Sequence, residues 1–190
     1  MERPKIECTT GGILFLCIYG LWDPYGSFLP FILCICLHEL GHILSLLCLQ
    51  EKIRAIQLGF GGVTIYTAPL PYLKEIIIAA AGPLVTLGLL LTVGSRNRIC
   101  LIINLCLLLY NMLPFYPLDG GRICRCILRL MFPITQAERI EKAVTIGTYS
   151  FLLIGCILCS ICYNAGLWFM ILWAVIYLRT GGGSFLHHRL

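Results

Sequence analysis

The sequence predicts an all-α polytopic membrane protein, with about six transmembrane helices and a short β-hairpin or re-entrant element between the second and the third. Two observations on composition lead to this prediction. Of the 190 residues, 59% are apolar and only 12% are charged, about half of the roughly 25% charged residues in a soluble domain. The mean hydropathy is +0.90. A third observation is that the apolar residues form runs close to the roughly 20 residues that span a bilayer.

Six apolar runs are the candidate spans. They cover residues 10–22, 27–49, 75–94, 99–118, 143–162 and 166–179. The last two come from one charge-free stretch, divided at the turn-like sequence YNAG, residues 163–166. With the N-terminus inside, twelve Lys and Arg residues fall in cytoplasmic segments, and only Arg96 and Arg98 fall outside. This positive-inside bias predicts a multi-pass protein of the cell membrane with both termini in the cytoplasm.

The segment IRAIQLGFGGVTIYTA, residues 53–68, differs from the spans around it. It is rich in β-branched residues, nearly uncharged, and interrupted by Gly59, Gly61 and Gly62. This pattern predicts the hairpin or re-entrant element, at the cytoplasmic face. The expected organisation is a single transmembrane domain over 1–190, with a functional core at about 27–125 and no separate C-terminal regulatory domain.

Charge and cysteine content exclude some function classes. The net charge of +5 is not arranged as a basic stripe with interleaved aromatic residues, so no nucleic-acid partner is expected. Most of the twelve cysteines lie within apolar runs, where a reduced cysteine packs as a small hydrophobe. The spacing Cys156-x-x-Cys159-x-x-Cys162 is similar to that of cluster ligands. No set of polar residues that could surround a cluster accompanies it, so packing is the favoured interpretation.

The second span contains HELGH, residues 38–42. His38 and His42 are four residues apart and therefore share one face of a helix. Two neutral imidazoles in this arrangement can bind Zn²⁺, with Glu39 as the general base. The alternative is a pair of core histidines that bond to neighbouring helices. Ionisable residues inside a membrane are costly and mark functional sites, so the pattern favours zinc.

A catalytic zinc ion needs at least one more protein ligand, and Asp119 is the best candidate. It lies in NMLPFYPLDGGR, residues 111–122, where two prolines should break the helix and let an aspartate turn into the bundle. Alternatively, Asp119 caps the next helix. His42 lies ~10 Å below the cytoplasmic face, at ~1.5 Å per residue. The span 99–118 ends at that same face, which favours Asp119 as a ligand.

Four motifs, HELGH, FGGV, AAAGPL and NMLPFYPLDGGR, occur in this order and spacing. Together they resemble the site-2 protease family of intramembrane zinc metalloproteases, over about residues 28–125. The resemblance implies one zinc ion per chain, bound by His38, His42 and Asp119, and Glu39 as the catalytic residue that activates water. It also implies that Asn111 binds substrate or stabilises the oxyanion.

The AAAGPL motif carries two further features. Many relatives have Asn after it, whereas this chain has Val85 and Thr86, so the resemblance assigns no polar role there and leaves the question open. Gly82-Pro83, within the third span, indicates either a kink tolerated by packing or a close approach of two backbones.

The resemblance implies hydrolysis of a peptide bond in a membrane-tethered protein near the cytoplasmic face. In sporulation members of the family that substrate is an inactive sigma-factor precursor, and membrane regulatory partners are expected. The alternatives are a membrane zinc transporter and a non-catalytic metal-binding membrane protein. A transporter should have polar residues through both halves of the membrane, but the outer halves of the second and fourth spans offer little beyond Asn104 and thiols. The intact Glu39 argues against the non-catalytic alternative.

Overall fold

The structure is a computed structural model that describes residues 5–8, 10–21, 23, 25–59, 62–94 and 96–162. The chain divides into two compact units, Met1–Met112 and Leu113–Leu190. Among the described residues, three helices are long and apolar enough to cross a membrane: Phe28–Cys48, Tyr72–Thr92 and Ile134–Cys162.

Among its described residues, the first unit contains four helices and a small sheet. Its elements are β1 (Lys5–Cys8), α1 (Thr10–Leu21), α2 (Phe28–Cys48), β2 (Ile53–Gly59), β3 (Gly62–Thr67), α3 (Tyr72–Thr92) and α4 (Arg98–Asn111). Helices α2, α3 and α4 pack against one another. The backbones of α2 and α3 approach closely at Gly41, where a Cβ atom would lie 2.9 Å from the carbonyl oxygen of Ala81.

The sheet has the strand order β1-β2-β3. Strands β2 and β3 pair antiparallel, from Ile53 opposite Thr67 to Gly59 opposite Gly62, which confirms the predicted hairpin. Strand β1 pairs parallel to β2 and was not predicted. Four residues are too few to show an alternating pattern, and their pairing depends on a strand about 50 residues later. The described part of the chain is therefore mostly helical with a three-stranded sheet, and the prediction of an all-α protein is corrected in this respect.

The start of α2 is determined by Asp23. Its Oδ2 accepts a hydrogen bond from the backbone N–H of Phe28 at 2.8 Å. Its Oδ1 accepts from the N–H and the hydroxyl of Ser27, at 2.9 and 2.8 Å. The bond from Phe28 has the largest effect on the pKa of this carboxyl group, and together these bonds hold the pKa of Asp23 below its usual value. Asp23 thus caps the helix that carries the HELGH motif.

The second unit contains α5 (Asp119–Met131) and α6 (Ile134–Cys162) among its described residues. A Cβ atom at Gly121 would overlap the backbone of Phe115, so the first turn of α5 packs directly on the preceding loop. The buried Phe115 ring stacks on Tyr149 of α6, with 4.8 Å between the ring centroids. Arg125 of α5 forms an ion pair with Glu141 of α6 at 2.6 Å. These contacts join the two helices.

Two predicted spans, 27–49 and 75–94, correspond to α2 and α3. The first predicted span, 10–22, is a helix of 12 residues, shorter than the roughly 20 that cross a bilayer. The predicted span 143–162 is the C-terminal part of the longer α6, which begins at Ile134.

The prediction of a span over 99–118 is wrong in its extent, because α4 ends at Asn111. Pro114 lacks an N–H, and the residue before a proline disfavours the helical conformation. The predicted sixth span, 166–179, lies outside the described residues. The count of six spans is therefore not confirmed, while the orientation of the termini and the single-domain organisation stay predictions.

Candidate metal centre

His38 and His42 lie on one face of α2 and are both buried, with exposed fractions of 2% and 4%. Their Nε2 atoms are 3.3 Å apart, and their rings meet edge to face with centroids 5.0 Å apart. The structure therefore brings the two predicted histidine ligands together through the nitrogens that would bind a metal.

The opposite nitrogen of each ring contacts α3. Nδ1 of His42 donates a hydrogen bond to the backbone carbonyl of Ile78 at 2.7 Å. Nδ1 of His38 lies 2.8 Å from the hydroxyl oxygen of Thr86. Because a carbonyl only accepts hydrogen bonds, the neutral His42 ring carries its proton on Nδ1 and its lone pair on Nε2. Such a bond on the outer nitrogen is typical of histidines that bind metal.

Gly82 lies on α3 between these two contacts. A Cβ atom there would lie 2.6 Å from Cε1 of His42 and 2.9 Å from Cε1 of His38, and closer still to Nε2 of His42. Only glycine leaves room for both imidazoles against α3. The close approach at Gly82 is therefore that of two imidazole rings to α3, rather than the approach of two backbones that was one interpretation of Gly82-Pro83.

Glu39 and Asn111, the predicted catalytic and substrate-binding residues, are both half-buried in the first unit. Glu39 directly follows His38 on α2. Asn111 is the last residue of α4 and donates one hydrogen bond from Nδ2 to the backbone carbonyl of Leu107 at 3.0 Å. Because an amide nitrogen carries two hydrogens, this bond uses only part of its donor capacity. The functional roles of Glu39 and Asn111 stay predictions.

Asp119 belongs to the second unit and is the first residue of α5. It was predicted near the end of the fourth span, but it begins a new helix, where a negative charge is favourable. Its side chain is buried, with a residue exposure of 6%, and Oδ1 lies 3.4 Å from Nη1 of Arg122. The N-cap position is Leu118, so Asp119 follows the cap rather than capping the helix as the alternative held. The role of Asp119 as a metal ligand stays a prediction.

Thr86 is the residue at this site that the sequence analysis missed. It is fully buried, and its hydroxyl contacts both His38 and the backbone carbonyl of Gly82, at 3.1 Å from the latter. A signal was present, because Ile78, Gly82 and Thr86 are spaced by four residues and share one face of α3. Nothing in the sequence indicated that this face would meet the two histidines.

Comparisons with known proteins agree on one family. The model of peptidase family M50 matches residues 95–155. The chain is 34% identical over 122 residues to the zinc metalloprotease MJ0392 of Methanocaldococcus jannaschii, covering 57% of this chain and 36% of that protein. It is 27% identical over 143 residues to stage IV sporulation protein FB of Bacillus subtilis, covering 68% of this chain and 49% of that protein.

The site-2 protease from Methanocaldococcus jannaschii has a similar solved structure, with a TM-score of 0.65 and 26% identity, over 94% of this chain and 90% of that one. These comparisons agree with the resemblance that the motifs predicted, since the chain is similar in sequence to members of peptidase family M50, and it has a site-2 protease fold. It spans 36% and 49% of the lengths of the two curated relatives.

Proposed function

We propose that this protein is an intramembrane zinc metalloendopeptidase, which hydrolyses a peptide bond of a membrane-associated protein near the cytoplasmic face. The observation that carries the proposal is the pair of buried imidazoles on α2, with their Nε2 atoms 3.3 Å apart. Helix α2 is otherwise apolar enough to cross a membrane. Ionisable groups persist in such a helix only where they serve a function.

The spacing of the imidazoles fits zinc. Zinc–nitrogen bonds are about 2.0–2.1 Å long and structural and catalytic zinc sites are commonly tetrahedral. Two nitrogens bound to one tetrahedral ion are then about 3.3–3.4 Å apart, and the two Nε2 atoms are 3.3 Å apart. The fixed Nδ1 proton of His42 also leaves its Nε2 in the basic form that binds a metal.

Asp119 is proposed as the third ligand, for one zinc ion per chain. Catalytic zinc sites commonly combine two histidines with one carboxylate and keep one position open. Asp119 offers a carboxylate oxygen and is buried at the start of α5. Its place in the LDGG motif, which resembles that of site-2 proteases, also supports this assignment.

The proposed mechanism uses two further residues of the first unit. A zinc ion held by His38, His42 and Asp119 would supply a Lewis acid, which lowers the pKa of water at the site towards ~7. Glu39 accepts a proton from the attacking water and later donates it to the nitrogen of the leaving amine. Nδ2 of Asn111 donates a hydrogen bond to the substrate carbonyl oxygen as that oxygen gains negative charge.

The substrate is proposed to bind as an extended strand, because the carbonyls of a helix are occupied by the helix's own hydrogen bonds. The β2–β3 hairpin offers strand edges to which such a segment can pair. A membrane-tethered sigma-factor precursor and membrane regulatory partners are the proposed partners. The similarity to stage IV sporulation protein FB, over 68% of this chain, supports them.

The decisive experiment is co-expression of the chain with candidate membrane-tethered precursors, in the wild-type form and as Glu39→Gln. We expect a cleavage fragment only with the wild type and equal zinc content in both, because the change removes the proton acceptor but no ligand. Glu138→Gln makes the same chemical change at an exposed position of α6 and should leave cleavage intact. Full cleavage by Glu39→Gln, or purified wild type without stoichiometric zinc, would refute the proposal.

The transporter alternative makes a different prediction, namely zinc flux in reconstituted vesicles without proteolysis. Asn104 was the main polar residue that could have served such a path. Its amide instead donates hydrogen bonds to Sγ of Cys34 at 3.2 Å and to the carbonyl of Cys100 at 2.8 Å. These contacts indicate a structural role in joining α2 to α4, and they favour the protease.

A further inference from the structure

We propose that Thr86 is a positioning residue, which holds His38 in the tautomer that binds the metal. This inference rests on the zinc site of the proposed function. Thr86 is fully buried in α3. Its Oγ1 lies 2.8 Å from Nδ1 of His38 and 3.1 Å from the backbone carbonyl oxygen of Gly82. The hydroxyl can therefore act as a donor to either atom, but it has only one proton to donate.

The position of that proton decides the tautomer of His38. When the hydroxyl donates to the Gly82 carbonyl, its oxygen accepts from Nδ1–H of His38, and Nε2 of that ring keeps its lone pair. When the hydroxyl donates to Nδ1 instead, the neutral ring carries its proton on Nε2. Only the first arrangement leaves Nε2 of His38 able to bind a metal ion.

The neighbouring His42 ring explains why only one of the two arrangements allows a metal to bind. The Ile78 carbonyl keeps the proton of the neutral His42 ring on Nδ1, so Nε2 of that ring is an acceptor. A proton on Nε2 of His38 would then form a hydrogen bond across the 3.3 Å that separates the two Nε2 atoms. That bond occupies the space of the ion. With the proton on Nδ1, two lone pairs face each other, an arrangement that a cation between them stabilises.

Threonine suits this role because of its place in a helix. A threonine hydroxyl within a helix commonly donates to the carbonyl four residues earlier, which here is Gly82. The helix itself thus provides an acceptor for the Thr86 proton and leaves the oxygen to accept from His38. Valine has nearly the same shape as threonine but no hydroxyl, whereas serine keeps the hydroxyl and loses the methyl group.

The test compares wild type, Thr86→Val and Thr86→Ser as full-length protein in detergent. Zinc affinity is measured by competition with a chromophoric chelator. We expect Thr86→Val to bind zinc about 10- to 100-fold more weakly, the usual effect of removing the partner of a metal-bound histidine. Thr86→Ser should restore affinity to near the wild-type value. A general loss of packing at position 86 would not be rescued by serine, which removes the methyl group that valine keeps.

The second readout is independent of zinc. In metal-free protein, the ¹⁵N shifts of labelled histidine rings report which nitrogen carries the proton. His187 and His188 are replaced by Gln, so that only the two motif histidines contribute signals. We expect Thr86→Val to raise the fraction of His38 protonated on Nε2, because Nδ1–H has lost its acceptor oxygen while Nε2–H keeps His42. Thr86→Ser should resemble the wild type.

The outcomes separate the two proposals. An unchanged tautomer ratio together with an unchanged zinc affinity in Thr86→Val would overturn the role of Thr86. Wild-type protein that binds no zinc would overturn the proposed protease, while the ratio in metal-free protein would still decide the role of Thr86. If Thr86→Val fails to fold, Thr86→Ala removes the hydroxyl without adding volume, and the same two measurements apply to it.

Discussion

Replacing Gly82 by alanine should remove the metal site while α3 stays helical. The added Cβ atom would lie 2.6 Å from Cε1 of His42, and nearer still to Nε2. Carbon atoms in contact are normally about 3.5–4.0 Å apart, so the His42 ring must move by about 1 Å. That ring is also held on its other side by the Ile78 carbonyl at 2.7 Å, so it cannot move without weakening this bond.

The size of this displacement determines the expected effect. Zinc–ligand distances are specified to within about 0.2 Å, so a displacement of about 1 Å takes the His42 ring out of its bonding position. Losing a contact that orients a metal-bound histidine costs about 10- to 100-fold in metal affinity, and we expect Gly82→Ala to reach the upper end of this range, about 100-fold. The change in stability should be smaller. Overpacking costs about 1–3 kcal/mol, and the gain in helix propensity from Gly to Ala offsets about 1 kcal/mol of this.

The assay is zinc affinity by chelator competition, with thermal unfolding measured on the same samples. Gly88→Ala is the matched control, because it lies on the same helix and a Cβ atom there meets nothing within 4 Å. It should retain zinc and unfold at the wild-type temperature or slightly above. Wild-type zinc affinity in Gly82→Ala would show that α3 does not confine the imidazoles, and would refute the close-packing argument.

Two further predictions concern the helices that support the site. Asp23→Asn should lower the thermal unfolding temperature, because a charged acceptor at the start of α2 is lost. Since the pKa of Asp23 is lowered in the folded protein, its carboxylate stabilises the fold at neutral pH, and this stabilisation is lost as the pH falls through the lowered pKa. A difference in unfolding temperature between wild type and Asp23→Asn that persists below that pH would contradict this. A double-mutant cycle of Asn104→Ala and Cys34→Ala should give a coupling energy of about 0.6 kcal/mol, typical of hydrogen bonds between membrane helices. A coupling of zero would show that the 3.2 Å contact contributes nothing.

The paired histidines could be predicted from the sequence because their relationship is local. Two residues four apart share one face of a helix wherever that helix packs, and the structure places the two Nε2 atoms 3.3 Å apart. The hairpin was predictable for a similar reason, since β-branched residues around a glycine turn fold back on themselves. The family resemblance could also be predicted, because each motif that carries it is a short run of consecutive residues.

Helix ends and the short strand β1 were harder to predict. Helix α4 ends at Asn111 rather than continuing to 118, although the sequence after it stays apolar. Hydropathy reports burial or lipid contact, whereas the end of a helix depends on backbone groups and prolines. Strand β1 pairs with residues 55–58, about 50 positions later in the chain, and no local pattern carries that information.

The sequence by itself predicted a membrane protein, and its short motifs carried the resemblance to site-2 proteases and, with it, the two histidines and the glutamate. Composition, helical periodicity and local motifs suffice for these predictions because they do not depend on which elements pack together. Only the tertiary structure decided that Ile78, Gly82 and Thr86 face the imidazoles. The contacts of His42 and His38 with α3 join residues 36 and 48 positions apart, and such contacts exist only once α2 and α3 have packed together.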